Sequence, residues 1–177
     1  MPRRALALSK VYGLLEPGPV VLLTTAHGGH RDIMALSWHT MMEFEPPLVG
    51  CVISNRNHSF GLLKTTRECV LNIPSVDLAE QVVGCGNTSG RRVDKFARFG
   101  LTARPASRVA APLIAECFAN LECRVVDTRL VPKYCFFVLE VVKAWKDAAL
   151  PPQTIHHLGR GEFVVSGEHL KLKSKMK

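Results

Sequence analysis

Between Asp32 and Phe60 the chain reads DIMALSWHTMMEFEPPLVGCVISNRNHSF, and this stretch leaves it few folds to choose from. Taking every second residue separates two faces. Met34, Leu36, Trp38, Thr40 and Met42 fall on one, and Ile33, Ala35, Ser37, His39 and Met41 on the other. A side-chain period of two is that of a strand, here with one largely apolar face and one mixed, small-and-polar face. Pro46-Pro47 ends it, since proline cannot donate to a ladder and restricts the residue before it. A second strand, Leu48 to Ile53, follows and runs into Ser54-Asn55-Arg56-Asn57-His58-Ser59, which opens a helix over Phe60 to Thr66. Hydroxyls, carboxamides, an imidazole and a guanidinium at a helix N-terminus suit a phosphate dianion. The plainer alternative is that Ser59 is the N-cap of that helix.

The flanking segments repeat the strand signal. Val20 to Thr25 is a β-branched run, ended by the five-residue loop Ala26 to His30 of an expected antiparallel hairpin. Cys69 to Ile73 is stopped by Pro74, and Ser75 caps a helix over Val76 to Val83 that Gly84 and Gly86 end. Asn87 to Gly100 reads as a cationic loop with one or two helical turns. Ala119 to Val126 alternates as a half-buried strand, and Tyr134 to Val142 is apolar on both faces, as a central strand is. Pro151-Pro152 marks a loop containing His156-His157, and Gly161 to Val165 makes a last short strand. The basic N-terminus, too short in its apolar patch for a signal-peptide core, reads as an opening strand or arm. Six or seven strands with three short helices predict a mainly β protein built as one antiparallel Greek-key barrel. A doubly wound sheet would need long alternating helices and a glycine-rich phosphate loop.

Composition narrows the function classes. The 177 residues suit a single domain over 1–170 with a basic tail over 171–177. No apolar run approaches the ~20 residues of a membrane span. Six cysteines lack C-x-x-C spacing, so neither a zinc site nor a disulfide framework is expected, and a reducing, cytoplasmic setting fits. Cys51, Cys69, Cys123 and Cys135 lie in strand-like runs. Cys85, between two glycines, reads either as a reactive thiol or as a structural one. Of the net charge of +8, six positive charges sit at Arg3, Arg4, Lys171, Lys173, Lys175 and Lys177, a solvated pattern. The rival from another class, a non-catalytic barrel binding nucleic acid through this tail, lacks the interleaved aromatics such binding uses.

The ordered set Trp38-His39-Thr40, Pro46-Pro47-Leu48-Val49, Ser54 with Ser59, and Ser89-Gly90 followed by Asp94-Lys95-Phe96 resembles the flavin reductase-like family of FMN-binding split barrels, near its flavoredoxin branch. The resemblance spans roughly residues 10 to 170. It implies a split β-barrel, FMN as cofactor, electron transfer or flavin reduction, a homodimer with the flavin at the subunit boundary, and a redox protein among possible partners.

Carried over residue by residue, the resemblance implies that Ser54 and Ser59 hold the phosphate with Arg56 assisting. Asp32, Ser37, Trp38, His39 and Thr40 would line the ring and ribityl chain, Lys95 would supply a nearby cation, and Phe163 would close the pocket. Each has a plain counterpart: Trp38 as core filler, His39 as a hydrogen-bonded surface histidine, Lys95 as a solvated lysine. Two positions depart from the family. Asp32 stands where an amide or small residue is usual, and a carboxylate there disfavours an anionic reduced flavin. Lys133-Tyr134 replaces the Asp-His of NAD(P)H-dependent relatives, which weakens the expectation of direct hydride transfer from a nicotinamide.

Overall fold

A computed structural model describes residues 3–147 and 153–173. Its strands are β1 (Arg3–Leu6), β2 (Val21–His27), β3 (His30–Leu36), β4 (His39–Phe44), β5 (Pro47–Val52), β6 (Glu68–Ile73), β7 (Ala103–Arg104), β8 (Leu113–Ile114), β9 (Ala119–Asp127), β10 (Phe136–Asp147), β11 (Ile155–Gly159) and β12 (Glu162–Val165). The α-helices are short: α1 (Tyr12–Leu15), α2 (His58–Thr66), α3 (Ala79–Asn87), α4 (Lys95–Arg98) and α5 (Val131–Tyr134).

The main sheet runs β3-β2-β6-β9-β10-β5-β4, all pairs antiparallel, with β1 added to the far end of β10. Its two outermost strands, β3 and β4, are joined by only Ser37 and Trp38. Three peptide links reach no more than about 11 Å, so the sheet must curl until its edges nearly meet. The result is a barrel open along one seam. Inside it pack Val21, Leu23, Met34, Leu36, Val49, Leu71, Leu121, Phe137 and Leu139. A second apolar layer lies between the outer face of β2–β3 and the segments covering it, with Leu22, Ile33, Val82, Phe96 and Ile155 at its centre.

The expected continuous strand over residues 33–42 is therefore two strands at opposite edges of one sheet. The break reverses the inward parity. Met34 and Leu36 point into the barrel before it, but Met41 packs there after it, leaving Met42 and Phe44 exposed. Other boundaries shift for local reasons. The β2–β3 loop is only Gly28-Gly29, both at positive φ, the pairing a tight hairpin turn needs. The helix after residue 57 begins at His58, with Asn57 rather than Ser59 as N-cap. A 3-10 turn at Val76–Leu78 precedes α3, which continues through Gly84 and Gly86 to Asn87. A side chain at Gly84 would overlap the Phe99 ring, so packing explains that glycine. Tyr134 closes α5, and Cys135 follows it in the left-handed region instead of lying in a strand. His156 and His157 belong to β11, not to a loop.

The N-terminal arm is β1, and β10 is central, between β9 and β5. Pro151-Pro152 and the last tail residues, Lys175 and Lys177 among them, lie outside the described residues. Among those described, no helix is long and apolar enough to cross a membrane.

Candidate functional site

Three segments converge outside the barrel near the start of β3: the N-terminus of α2, the end of α3 with the turn after it, and α4. Their meeting point is a buried polar cluster. Lys95 is 4% exposed. Its ammonium donates to the carbonyls of Ile33 and, at 3.1 Å, Cys85. It also lies 3.2 Å from Asp32 Oδ1, an ion-pair contact outside hydrogen-bond geometry. Asp32 Oδ2 accepts from the Ser59 hydroxyl at 2.7 Å. Gly90 closes over the same carboxylate so tightly that a Cβ there would overlap it. Burying a charge is tolerable when it is paired and hydrogen-bonded, and here each charge supplies the other's compensation. Asp94 caps α4, accepting from the N–H groups of Phe96 and Ala97 at 2.9 and 3.3 Å, and so seats Lys95 in the first turn.

Above this cluster opens a polar cleft of about 280 Å³, with Arg56, His58, Ser59, Ser89 and Gly90 in its walls and Asp32 and Lys95 at its base. The nine-residue α2 begins at its rim, and the Asn57 side chain makes no capping bond there. The partial positive charge of that helix end is open to an anion. The exposed Arg56 adds a full charge. A second, more apolar cleft of about 480 Å³ adjoins the first, sharing Ala35, Gly86 and Asn87 with it. Its walls include Ser37, Val82, His157, Arg160 and Phe163, with the His157 and Phe163 rings 5.3 Å apart. At Gly86 α3 faces β3 at ordinary packing distance: a Cβ there would sit 3.5 Å from that of Ala35. The two clefts form one groove, cationic at one end and apolar at the other.

Six of the expected site residues line that groove: Asp32, Arg56, Ser59 and Lys95 in the polar cleft, Ser37 and Phe163 in the apolar one. The remaining four do not. Trp38 is 71% exposed at the seam. His39 Nε2 donates to the Pro19 carbonyl at 2.7 Å, and burial holds its pKa below the ordinary histidine value. Thr40 is exposed and bonds the Met41 carbonyl. Ser54 Oγ accepts from the Arg56 N–H at 3.3 Å, holding the turn before α2.

Within the groove, two roles differ from expectation. Lys95 is an internal tether whose donors are already engaged, and the single hydroxyl proton of Ser59 is given to Asp32. The open donors are instead Arg56, His58 and the end of α2. Asn87, His157 and Arg160 were not singled out from the sequence as site residues, and His58 entered only as the imidazole of the polar run before α2. Gly84, inside a helix, was a usable signal that α3 lies against something. Cys85 is buried, and that burial pushes its thiol up to about 11, a structural role. No group of three or more histidine, cysteine or acidic side chains among the described residues is placed to hold a metal ion.

Residues 14–163 match the family described as "Flavin reductase like domain". An uncharacterized protein of Escherichia coli K12, YddH, is 33% identical over 172 residues, covering 89% of this chain and 91% of its own. The solved structure of an FMN-binding domain of a flavin reductases-like enzyme from Shewanella baltica OS155 superposes with a TM-score of 0.91, covering 97% of this chain and 98% of that one at 24% identity. Flavoredoxin from Methanosarcina acetivorans superposes with a TM-score of 0.76, covering 89% of each chain at 26% identity. The chain belongs to the flavin reductase-like family, with the split-barrel fold of its structural neighbours.

Proposed function

We propose that this protein is an FMN-binding flavoprotein acting in electron transfer or flavin reduction. The groove carries this reading: its polar end offers an uncapped helix terminus with Arg56, and its longer arm is walled by apolar and aromatic groups. That asymmetry matches a nucleotide with a dianionic phosphate at one end and a flat ring at the other. Clefts of this size are ordinary for small-molecule sites. Bound FMN would supply reversible acceptance and release of an electron pair. The chain's own residues bind, orient and shield. Arg56, His58 and the first N–H groups of α2 would hold the phosphate, Ala35 and Gly86 the floor between the two arms, and Phe163 and His157 the outer wall. The charge of Asp32, matched by Lys95 beneath the groove, does not oppose the phosphate.

Arg56→Ala tests the phosphate end. Losing one charged contact at an exposed site is worth about 1–2 kcal/mol, so FMN affinity should fall roughly five- to thirtyfold while riboflavin binding stays unchanged. Equal losses for both flavins would place the phosphate elsewhere. Ser59→Ala should instead weaken both equally, because its hydroxyl serves Asp32. A protein that binds neither flavin overturns the reading.

A homodimer completes the proposal. The β4 edge ends the sheet and bears Met42 and Phe44, with Trp38 just before it, all three exposed. Trp38 adjoins Ser37 of the groove, so a second copy seated on this edge would wall the ring's open side. Sedimentation as a 19.5 kDa particle with FMN bound would contradict it. Lys133 and Tyr134 close α5, and because they stand where NAD(P)H-dependent relatives carry Asp-His, a redox protein is favoured over a nicotinamide as electron source.

A further inference from the structure

The apolar cleft of about 480 Å³ takes part of its wall from the hairpin of β11 and β12. The base of that hairpin is tied down. The Val20 N–H donates to the Ile155 carbonyl at 2.8 Å, and His156 Nδ1 donates to the Gly18 carbonyl at 3.1 Å. From this base His157, Arg160 and Phe163 reach the cleft, with His157 opposite Phe163 in the register. No Asp or Glu is among the described residues that line it, and Arg160 is the one Lys or Arg.

Arg160 holds a backbone conformation that arginine rarely adopts. With Gly161 it forms the two-residue loop between the strands, at φ of 50° and 84°. Such loops favour Asn-Gly, because a larger side chain at positive φ crowds its own backbone. Packing does not account for the arginine. A Cβ added at Gly159 or at Gly161 would meet nothing within 4 Å, and among the described residues no carboxylate pairs with the guanidinium. An unusual backbone state at a cleft wall points to a role for the side chain it carries. Here that side chain brings a permanent positive charge to a wall that holds no acid.

We infer that Arg160 compensates the charge of the reduced cofactor, and so sets how much more tightly the protein holds reduced than oxidised FMN. The inference rests on the flavin reading above. Reduction by two electrons with uptake of one proton leaves the flavin ring with one additional negative charge. A guanidinium beside the ring favours that charged form and is nearly indifferent to the neutral oxidised one. Asp32 does not oppose the added charge, since Lys95 matches it. Arg56 and the α2 terminus act at the phosphate, whose charge reduction leaves unchanged. The two cationic ends of the groove thus have separate duties, one anchoring the nucleotide and the other tuning its ring.

The test is the midpoint potential of bound FMN, from dithionite titration against indicator dyes, with fluorescence titrations giving the affinity for oxidised FMN and riboflavin. Wild type, Arg160→Gln, Arg160→Lys and Arg56→Ala are compared. Arg160→Gln should weaken reduced FMN roughly three- to tenfold relative to oxidised FMN, which lowers the potential by about 15–30 mV for a two-electron couple. Arg160→Lys keeps the charge and should leave that ratio within about twofold of wild type. Arg56→Ala should lower FMN affinity and leave the potential where it was. A potential that Arg160→Gln does not move, or that Arg160→Lys lowers as far, overturns the inference and leaves the FMN reading standing. So does an Arg160→Gln protein that loses affinity for FMN but not for riboflavin, since the guanidinium would then lie at the phosphate. If the wild type binds neither flavin, the flavin reading itself has failed. Arg160 is an exposed turn residue, and circular dichroism of each variant distinguishes a shifted potential from a lost fold.

Discussion

Lys95→Met isolates what the buried cluster contributes. Methionine keeps most of the stem and removes the ammonium, which stands 3.2 Å from Asp32 Oδ1 and donates to the carbonyls of Ile33 and Cys85. Asp32, 2% exposed, then keeps only the Ser59 hydroxyl. Stranding one partner of a buried pair costs about 3–5 kcal/mol. For a domain of this size each kcal/mol moves Tm by about 2–4 °C, so a fall of roughly 6–20 °C is expected.

Adding Asp32→Asn removes the stranded charge. What remains lost is chiefly two hydrogen bonds to carbonyls, at about 1 kcal/mol each. The double variant should therefore be more stable than Lys95→Met alone. Urea unfolding followed by tryptophan fluorescence, with thermal melts in parallel, measures all three proteins. A single-variant cost below about 1 kcal/mol would mean Lys95 is solvated. A double variant no more stable than the single one would mean the pair carries no coupling. Either result removes the tether described here.

Three further outcomes are expected. Gly90→Ala would press a methyl into the Asp32 carboxylate and should cost about 1–3 kcal/mol in urea unfolding, whereas a neutral effect would show that the 89–91 turn is not packed down. His39 has its pKa lowered by burial, so the unfolded chain takes up a proton near about pH 6.5 that the folded chain resists. Its stabilisation is complete above that pH and is lost as pH falls through it toward the folded value, so His39→Gln should flatten the decline in stability between pH 7 and 5, and an unchanged slope refutes this. Cys85, its thiol raised to about 11 by burial, should resist alkylation at pH 8 until urea unfolds the protein, and peptide mapping that finds it modified in the native state would contradict the assignment.

How far the sequence reaches is clearest at the seam. Alternation from Ile33 to Met42 identifies extended chain and does not register a bend, because Ser37 and Trp38 fit either face as well as their neighbours do. What separates β3 from β4 is pairing, with β2 on one side and β5 on the other, and pairing is non-local. The glycines of α3 fail as stop signals for a related reason. Gly84 is needed by the Phe99 ring, so packing there overrides an intrinsic preference of about 1 kcal/mol. The polar run from Ser54 to Ser59 was legible as the approach to a helix end. Which of its hydroxyls faces outward was not, since Ser59 is claimed by a carboxylate 27 positions earlier.

The same distance in sequence hides the logic of the groove's charge. Read singly, Asp32 looks like a liability near a phosphate, and Lys95 and Ser59 look like ligands. Brought together they form a closed set: one carboxylate, one ammonium and one hydroxyl, out of water and without net charge. Coulomb interactions strengthen as the surroundings lose polarity, so an unmatched Asp32 beneath the cleft would repel an anion more strongly than a surface acid does. With Lys95 matched to it, the field in the cleft is set by Arg56 and the open end of α2. The buried residues thus hold the base of the cleft in place, and the exposed ones supply the charge. Substitutions in the first set should change stability and all flavin binding together, and substitutions in the second should lower affinity for FMN while leaving riboflavin binding unchanged.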